Sequence, residues 1–243
     1  MSFEEKEVIE KYDEVAEEYH NTRSSRKGFY NEYLEMPLTL NLLGDVNEKN
    51  ILDFGCGTGI YAKLLTKKGA IVKGFDISPK MLEIAKKENP TLDLRLGSGN
   101  KIPFKEKFDI IFASLVLNYF EDWNNVFIQL KELLNREGIF IFSVRNPVIE
   151  SFEKPAEREK EIINLKMKNY FSETKFYTQW KKINMPAYHK TYETIIKIIL
   201  ENGFEIVDYG DSFPSKNSEE LFPEKYSLFS KIPFFCGWKV KLK

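Results

Sequence analysis

The stretch ILDFGCGTGIY, residues 51–61, decides the fold expected for this chain of 243 residues. An apolar run ends at Asp53 and Phe54, and glycines then alternate with small residues. Glycine permits a sharp turn with positive φ and lets a ligand approach the bare backbone. A helix is expected next, and its first N–H groups favour an anionic group of the ligand. The stretch therefore predicts a strand, a tight loop and a helix that bind a ligand.

The spacing of the glycines separates two classes of ligand. Gly55, Gly57 and Gly59 stand two positions apart. The dinucleotide-binding pattern is G-x-G-x-x-G, and Ile60 occupies the position of its third glycine. The tighter loop suits a carboxylate better than a pyrophosphate.

Apolar runs and helical segments alternate through most of the chain. Strands separated by helices of roughly 10–15 residues indicate a mostly parallel sheet with helices on both faces, an α/β fold. The predicted strands are 50–54, 71–75, 92–96, 108–113, 138–144, 204–209 and 234–242, and the predicted helices between them are 61–68, 78–87, 126–134 and 191–201. Before the first strand we expect a first helix, a loop over 21–28 and a second helix over 29–43.

An acidic residue closes the second predicted strand. In open α/β sheets a carboxylate at this position accepts hydrogen bonds from ribose hydroxyls. Asp76 stands there, and its two oxygens suit a vicinal diol. Ile77 follows and is placed to pack on an adenine face.

Composition excludes several classes of protein. The 36 Lys and Arg against 37 Asp and Glu give a net charge of −1, which argues against the basic face that nucleic-acid binding needs. Cys56 and Cys236 show no metal spacing, so we expect free thiols, a reducing compartment and no metal. The N-terminus is acidic and lacks a signal peptide's apolar core, and the apolar runs fall short of the ~20 residues of a membrane span. We therefore expect a soluble cytoplasmic protein, a monomer or homodimer, that does not bind membranes.

Together these motifs resemble the class I S-adenosylmethionine-dependent methyltransferases, and among them the branch similar to methyltransferase type 11. ILDFGCGTG and then GFDISPKML match the family's first two motifs. The segments 97–104, 108–123, 134–144 and 188–206 resemble its later landmarks in order. The resemblance covers roughly residues 10–210 and implies a Rossmann-like, doubly wound, seven-stranded sheet. It is specific for the cofactor and unspecific for the substrate.

The resemblance also implies the residues of the site. The expected contacts to S-adenosylmethionine are Tyr19, Asp53, Gly55, Cys56, Gly57, Asp76, Ile77, Met81, Ser98, Gly99, Asn100, Ser114 and Leu115. The expected contacts to the substrate are Tyr12, Asn118, Arg145, Asn146 and His189. Arg145 and Asn146 are expected there because they end the fifth predicted strand, and the ligand crevice of an open parallel sheet lies beyond the carboxyl ends of its strands. His189 is the candidate general base, and no metal is expected.

Two positions depart from the family pattern. The family often has Asp at the position of Ser98, so Asn100 or the backbone of Gly99 is expected to take more of the adenine contact. The family often has His at the position of Asn118. Because this chain has Asn there, a role of that position as a general base is less expected.

One domain in four consecutive parts is expected. A helical cover, a cofactor-binding core, an inserted lid on the substrate side, and a sheet-closing helix with strands follow one another at 1–44, 45–146, 147–190 and 191–243. A polar loop containing Pro214 and Pro223 is predicted between the last two strands.

The predicted function is methyl transfer from S-adenosylmethionine to an O, N or C atom of a small molecule by direct displacement. One alternative is a non-catalytic protein that binds S-adenosylmethionine or S-adenosylhomocysteine. A second is an NAD(P)-dependent oxidoreductase, for which the longer glycine spacing is missing. A nucleic-acid methyltransferase would favour a basic stripe or an N/D-P-P-Y sequence, of which Asn146-Pro147 shares only two letters.

Overall fold

The computed structural model describes residues 3–151, 169–180 and 183–243. Residues 152–168, which form much of the predicted insertion, lie outside the described residues, as do residues 1–2 and 181–182. Within the described residues, a central sheet carries helices on both faces, and a separate two-stranded hairpin packs beside it.

The strands confirm the predicted mostly parallel, doubly wound sheet. They are β1 (Asn50–Phe54), β2 (Ile71–Asp76), β3 (Asp93–Leu96), β4 (Phe108–Ser114), β5 (Leu134–Arg145), β6 (Lys175–Trp180), β7 (Ile183–Tyr188), β8 (Phe204–Asp211) and β9 (Phe235–Leu242). In the described residues, seven of them form one sheet in the order β3-β2-β1-β4-β5-β9-β8. Strands β1 to β5 run parallel, whereas β9 pairs antiparallel with β5 and β8. Strands β6 and β7 form the separate antiparallel hairpin.

The helices lie largely where the apolar periodicity predicts them. They are α1 (Phe3–Ser24), a π-helix (Tyr30–Glu35), α2 (Met36–Leu43), α3 (Ile60–Lys67), α4 (Pro79–Glu88), a 3₁₀ turn (Leu117–Tyr119), α5 (Trp123–Leu133), α6 (Pro147–Glu150), α7 (Tyr192–Glu201), α8 (Ser218–Leu221) and α9 (Pro223–Phe229). In the described part of the chain, none of them combines the length and the apolar character that crossing a membrane requires.

The central strands are buried on both sides, which is why they read as apolar runs rather than as alternating patterns. On one face, Phe140 and Phe142 pack with residues of α5 and α7. On the other face, Ile51, Phe112 and Ile141 pack with residues of α2 and α3. Successive side chains of a strand point to opposite faces, so each core strand contributes to both layers.

The strand order reverses between β1 and β4, because the chain builds outward from β1 through β2 and β3 and then returns to the other side of β1. In open α/β sheets the ligand crevice lies beyond the carboxyl ends of the strands at such a switch point. The glycine loop after β1 and Leu115 after β4 lie at this edge.

The N-terminal cover differs from its prediction at one point. A loop was expected over residues 21–28, but α1 continues to Ser24. Arg23, in its last turn, is buried and donates from Nε to Glu32 Oε1 at 2.7 Å. This buried ion pair with the following π-helix keeps the last turn of α1 helical.

A buried carboxylate joins the cover to the sheet. Glu35, at the end of the π-helix, has no exposed surface. It accepts hydrogen bonds from Ser143 Oγ at 2.6 Å, Ser114 Oγ at 2.7 Å and Tyr61 Oη at 2.6 Å. Since these hydroxyls belong to β5, β4 and α3, one side chain fixes the cover to three elements of the core.

The hairpin of β6 and β7 lies beside the first helix. Lys175 on β6 forms an ion pair of 2.9 Å with Glu7 on α1. Ile183 and Met185 on β7 pack with Val15 on α1, all three buried. The described end of the predicted insertion therefore packs on the cover.

The segment between β8 and β9 also differs from its prediction. A polar loop was expected, and the structure has α8 and α9 there. Pro223 stands at the start of α9, where a missing N–H costs nothing. Phe229 of α9 is buried, with its ring 5.8 Å from that of Phe29. Tertiary packing thus makes a helix from a segment whose local sequence reads as a loop.

Substitution Glu35→Ala should lower the free energy of unfolding by about 3 kcal/mol, because three buried hydroxyls lose their shared acceptor. Urea unfolding measures this value. Glu83→Ala, at an exposed position of α4, is the matched control and should change it by less than about 0.5 kcal/mol. A loss below about 1 kcal/mol for Glu35→Ala would show that the cover does not depend on this carboxylate.

Candidate functional site

The glycine loop wraps around the end of β2. Gly55, Gly57 and Gly59 all have positive φ, at 73°, 53° and 77°. The N–H groups of Gly55 and Cys56 both donate to the carbonyl oxygen of Phe75 at 2.9 Å. A Cβ on Gly55 would lie 2.5 Å from Val116 Cγ2, so this position requires glycine for both conformation and space.

Asp76 is tied into this loop by its carboxylate. Its Oδ2 accepts from the Gly57 N–H at 2.8 Å and its Oδ1 from the Ser78 N–H at 2.9 Å. The side chain is 8% exposed, and burial raises the pKa of Asp76 to about 6. The carboxylate that the sequence assigns to the ribose therefore also fixes the loop.

Asp53 lies beneath the loop and is only 2% exposed. Its Oδ2 is buried and has no hydrogen-bond partner in the described residues. Burial, and then the charge of Asp76, raise the pKa of Asp53 to about 7. Burial likewise raises the pKa of the Cys56 thiol, which keeps that side chain protonated and unreactive.

Arg23 is a candidate site residue that is not among the predicted contacts. Its Nη1 donates to Tyr19 Oη at 2.7 Å, while its buried Nη2 has no partner in the described residues. The Tyr19 ring borders the loop, since a Cβ on Gly57 would lie 3.9 Å from Tyr19 Cε1. The spacing of four residues from Tyr19 was a signal for Arg23, but it counts only if α1 continues past residue 21.

The segment after β3 is fixed by side chains that contact the backbone of Gly99. A Cβ on Gly99 would lie 2.4 Å from Phe120 Cζ, and the Gly99 carbonyl accepts from Gln129 Nε2 at 2.7 Å. Asn100 is exposed, and its Nδ2 donates to Glu5 Oε1 on α1 at 3.1 Å. Gly99 therefore leaves room for the Phe120 ring, and its adenine contact stays a prediction, whereas the Asn100 amide is engaged with the cover.

Three further predicted contacts differ in burial. Met81 is buried and packs with Ala16 of α1. Ile77 and Ser98 are half-buried. Ser98 closes a short backbone bridge with Lys101.

The end of β4 carries strained backbone. Leu115 has φ of 56°, which costs a residue with a side chain roughly 1 kcal/mol or more and occurs mostly at functional sites. Its N–H donates to the carbonyl oxygen and to Oγ of Ser143 at 3.1 Å each. Ser114 gives its hydroxyl to Glu35, so its side chain is committed to the cover.

Two tyrosines lie beside the cofactor-side residues. Tyr12 Oη on α1 donates to Tyr119 Oη at 2.7 Å. Burial raises the pKa of both phenols, that of Tyr119 to about 12, and the charge of Asp76 adds to both shifts. Both side chains therefore stay protonated, as hydrogen-bond donors rather than bases.

His189 uses both ring nitrogens within the protein. Nδ1 lies 3.0 Å from Glu150 Oε2, and Nε2 lies 2.9 Å from the carbonyl oxygen of Tyr170. Hydrogen bonds with Glu150 and Tyr170 outweigh burial and raise the pKa of His189. A general base needs a free lone pair, and this arrangement leaves none on His189.

The other predicted substrate residues hold the end of β5. Asn118 Oδ1 accepts from the Arg145 N–H at 3.0 Å. Asn146 donates to Asp211 Oδ1 at 2.8 Å and accepts from the Val148 N–H at 3.0 Å. Both amides are buried and engaged, whereas the Arg145 side chain is 21% exposed.

Comparisons with known proteins identify the family. A family model described as a methyltransferase domain matches residues 52–142. An uncharacterized protein of Haemophilus influenzae is 32% identical over 191 residues, which are 72% of this chain and 75% of that protein. The chain belongs to the class I S-adenosylmethionine-dependent methyltransferases. Its cofactor is accordingly S-adenosylmethionine.

Two further likenesses concern named methyltransferases. The ubiquinone biosynthesis O-methyltransferase of Pelagibacter ubique is 28% identical over 162 residues, 60% of this chain and 68% of that protein. The crystal structure of an S-adenosylmethionine dependent methyltransferase from Mesorhizobium loti aligns with a TM-score of 0.73 at 24% identity, covering 85% of this methyltransferase and 96% of that chain. The second likeness shows that the two share a fold.

From the raised pKa values of the buried carboxyl groups, we predict how the stability of the cofactor-free methyltransferase depends on pH. The pKa of Asp53 lies above the unfolded value of about 3.9, so the folded state binds more protons and the free energy of unfolding falls as pH rises. Asp53 alone should account for about 2 kcal/mol between about pH 5.5 and 8.

Urea unfolding of the wild type and of Asp53→Asn at both pH values isolates this effect. Asp76 and His189, whose pKa values are also raised, act in the same direction and are common to both proteins. The variant should lose the Asp53 part of the pH dependence. Equal pH dependence in the two proteins would mean that Asp53 ionises normally in the folded state.

Proposed function

We propose that this methyltransferase transfers the methyl group of S-adenosylmethionine to an O, N or C atom of a small molecule by direct displacement. The observation that carries the proposal is a pair of buried groups beside the glycine loop, Arg23 and Asp53, each with an unpaired polar atom. The amino acid end of the cofactor has one carboxylate and one ammonium group. These are the charges that complement a guanidinium and a carboxylate.

In this assignment Arg23 binds the carboxylate and Asp53 the ammonium group. Gly55 and Gly57 offer bare backbone for close approach. The charge of Arg23 already lowers the pKa of Asp53 in part, so the two side chains lie within electrostatic reach of each other. One zwitterionic group can therefore engage both.

The nucleoside end is assigned to the neighbouring strand ends. Asp76 has lone pairs left for the ribose hydroxyls after accepting from two N–H groups. Ile77, Met81, Gly99 and Leu115 are assigned to the adenine region. The remaining predicted cofactor contacts are Tyr19, Cys56, Ser98, Asn100 and Ser114.

The bound cofactor supplies a methyl group already activated on a positively charged sulfur. What remains for the protein is alignment and exclusion of water. The cover and the described hairpin meet at Val15, Ile183 and Met185, which supports a closed substrate side. The Tyr119 hydroxyl orients the acceptor, because it stays protonated and is itself held by the hydrogen bond from Tyr12.

A small-molecule acceptor is supported by the net charge of −1, which does not favour a polyanion. An oxygen acceptor is supported by the relative from Pelagibacter ubique, which is an O-methyltransferase by name. The cytoplasmic location and the monomeric or dimeric state stay predictions from the sequence, as does the absence of nucleic-acid partners.

The alternative function is that of a non-catalytic cofactor-binding protein. The same glycine loop and the same charges would serve it, since direct displacement requires no fixed catalytic side chain. Detection of methylated product separates the two functions once an acceptor is known.

Calorimetry with S-adenosylmethionine, S-adenosylhomocysteine and NADH tests the proposed site. We expect both adenosyl compounds to bind and NADH not to, because the loop offers an amino acid site and lacks the dinucleotide spacing. Binding of NADH without binding of the adenosyl compounds would contradict the proposal.

Substitution Asp76→Asn should weaken S-adenosylhomocysteine binding at pH 8 at least tenfold, because a charged acceptor becomes a neutral one. Asp208→Asn, at an exposed position of β8, is the control and should leave the affinity unchanged. Circular dichroism checks that the loop still folds. Unchanged affinity in folded Asp76→Asn would remove Asp76 from the ribose site.

A further inference from the structure

Arg145 ends β5 at the carboxyl edge of the sheet, beside the proposed cofactor site. Its charge acts on Tyr119 and opposes the rise in the pKa of that phenol. Asp76 and Tyr19, which belong to the cofactor side, act on the same phenol. The Arg145 N–H also donates to Asn118 Oδ1 at 3.0 Å, so Arg145 lies next to the turn that carries Tyr119.

The guanidinium is held in one orientation. Its Nη1 donates to Thr178 Oγ1 on β6 at 2.8 Å. Its central carbon lies 5.2 Å from the ring centroid of Phe234 and 6.0 Å from that of Phe176. A guanidinium fixed in this way loses little entropy when it binds a further group.

Part of the donor capacity of Arg145 is unused. A guanidinium carries five N–H donors in a planar fork. In the described part of the chain, Nη2 has no acceptor, and Nε lies 3.7 Å from Glu150 Oε1 without a hydrogen bond. The Arg145 side chain is 21% exposed, so the guanidinium is not sealed off from solvent.

Among the described residues, Arg145 and His189 share one carboxylate as their ion-pair partner. Glu150 is 1% exposed and is shared between Arg145 and His189. Both partners of the His189 ring are acceptors, so the ring carries two protons whenever Glu150 is ionised. Glu173 also acts on His189, and its carboxylate accepts hydrogen bonds from the backbone and the hydroxyl of Thr191. One carboxylate thus faces two cations.

Building on the proposed methyl transfer, we propose that the acceptor molecule carries a carboxylate and that Arg145 binds it. A planar fork of donors is the side chain best matched to a carboxylate, which it binds through two parallel hydrogen bonds. Tyr119 adds a neutral hydrogen-bond donor. Its oxygen accepts the hydrogen bond from Tyr12, and its own O–H has no acceptor among the described residues. Arg145 is then a specificity-determining residue of this methyltransferase.

Calorimetry on the full chain saturated with S-adenosylhomocysteine tests the proposal. The probes are benzoate and propionate, each compared with its neutral amide, benzamide and propionamide. We expect at least one acid to bind tenfold or more tightly than its amide. Arg145→Gln should abolish this preference, and Arg145→Lys should restore part of it, because the charge returns without the fork.

Two control variants separate binding from a structural role of Arg145. Thr178→Val removes the anchoring hydrogen bond and keeps the charge, so it should retain the preference for acids. Arg95→Gln, an exposed arginine on β3, should change nothing. Each variant is checked for its melting temperature and for binding of S-adenosylhomocysteine.

The outcomes distinguish this proposal from the proposed function. Equal binding of acids and amides, or binding of neither, overturns the carboxylate proposal while S-adenosylhomocysteine still binds. Loss of the preference in Thr178→Val as well as in Arg145→Gln would assign Arg145 a structural role. Failure of the wild type to bind S-adenosylhomocysteine overturns the proposed function, and titration of the same probes without it then decides the carboxylate question by itself.

Discussion

Charged side chains buried at the carboxyl edge of the sheet need hydrogen bonds or opposite charges as partners. The arrangement of the candidate site depends on this requirement. An ion removed from water loses several kcal/mol of solvation unless hydrogen bonds or an opposite charge replace it. The Arg23 guanidinium meets this need through Glu32, and Glu35 meets it through three hydroxyls. Among the described residues, the buried groups without a hydrogen-bond partner include one nitrogen of Arg23, one oxygen of Asp53 and Nε of Arg145. The charged ends of the proposed ligands are assigned to these groups.

The same constraint explains why the cover belongs to the site rather than merely lying over it. Tyr12, Tyr19 and Arg23 stand on α1 at spacings of seven and four residues, which places them on one face of that helix. Glu35 then fixes the following segment to β4 and β5. Because the unpaired nitrogen of Arg23 comes from the cover, a ligand that binds it also stabilises the attachment of the cover to the core.

The parts of this structure that the sequence predicts are those encoded locally. The glycine loop, Asp76 and the parallel strands each follow from a short pattern of residue types. The missed features depend on contacts between distant segments. Arg23 reads as a loop residue until a π-helix brings Glu32 to it, and α9 forms because Phe229 packs on Phe29. Local propensity carries no information about such partners.

The candidate base, His189, also shows that a short stretch of sequence does not reveal the partners of a side chain. Here the sequence suggested a role that the contacts in the structure do not favour. His189 is attractive in the sequence because histidine titrates near neutral pH and stands in a segment that the family places near the substrate. In the structure its partners decide its role, since Glu150 and the Tyr170 carbonyl use both ring nitrogens. A fold whose cofactor is already activated can commit such a side chain to charge balance. In the proposed function, the choice of acceptor then falls to residues such as Arg145, which shares the Glu150 carboxylate with His189.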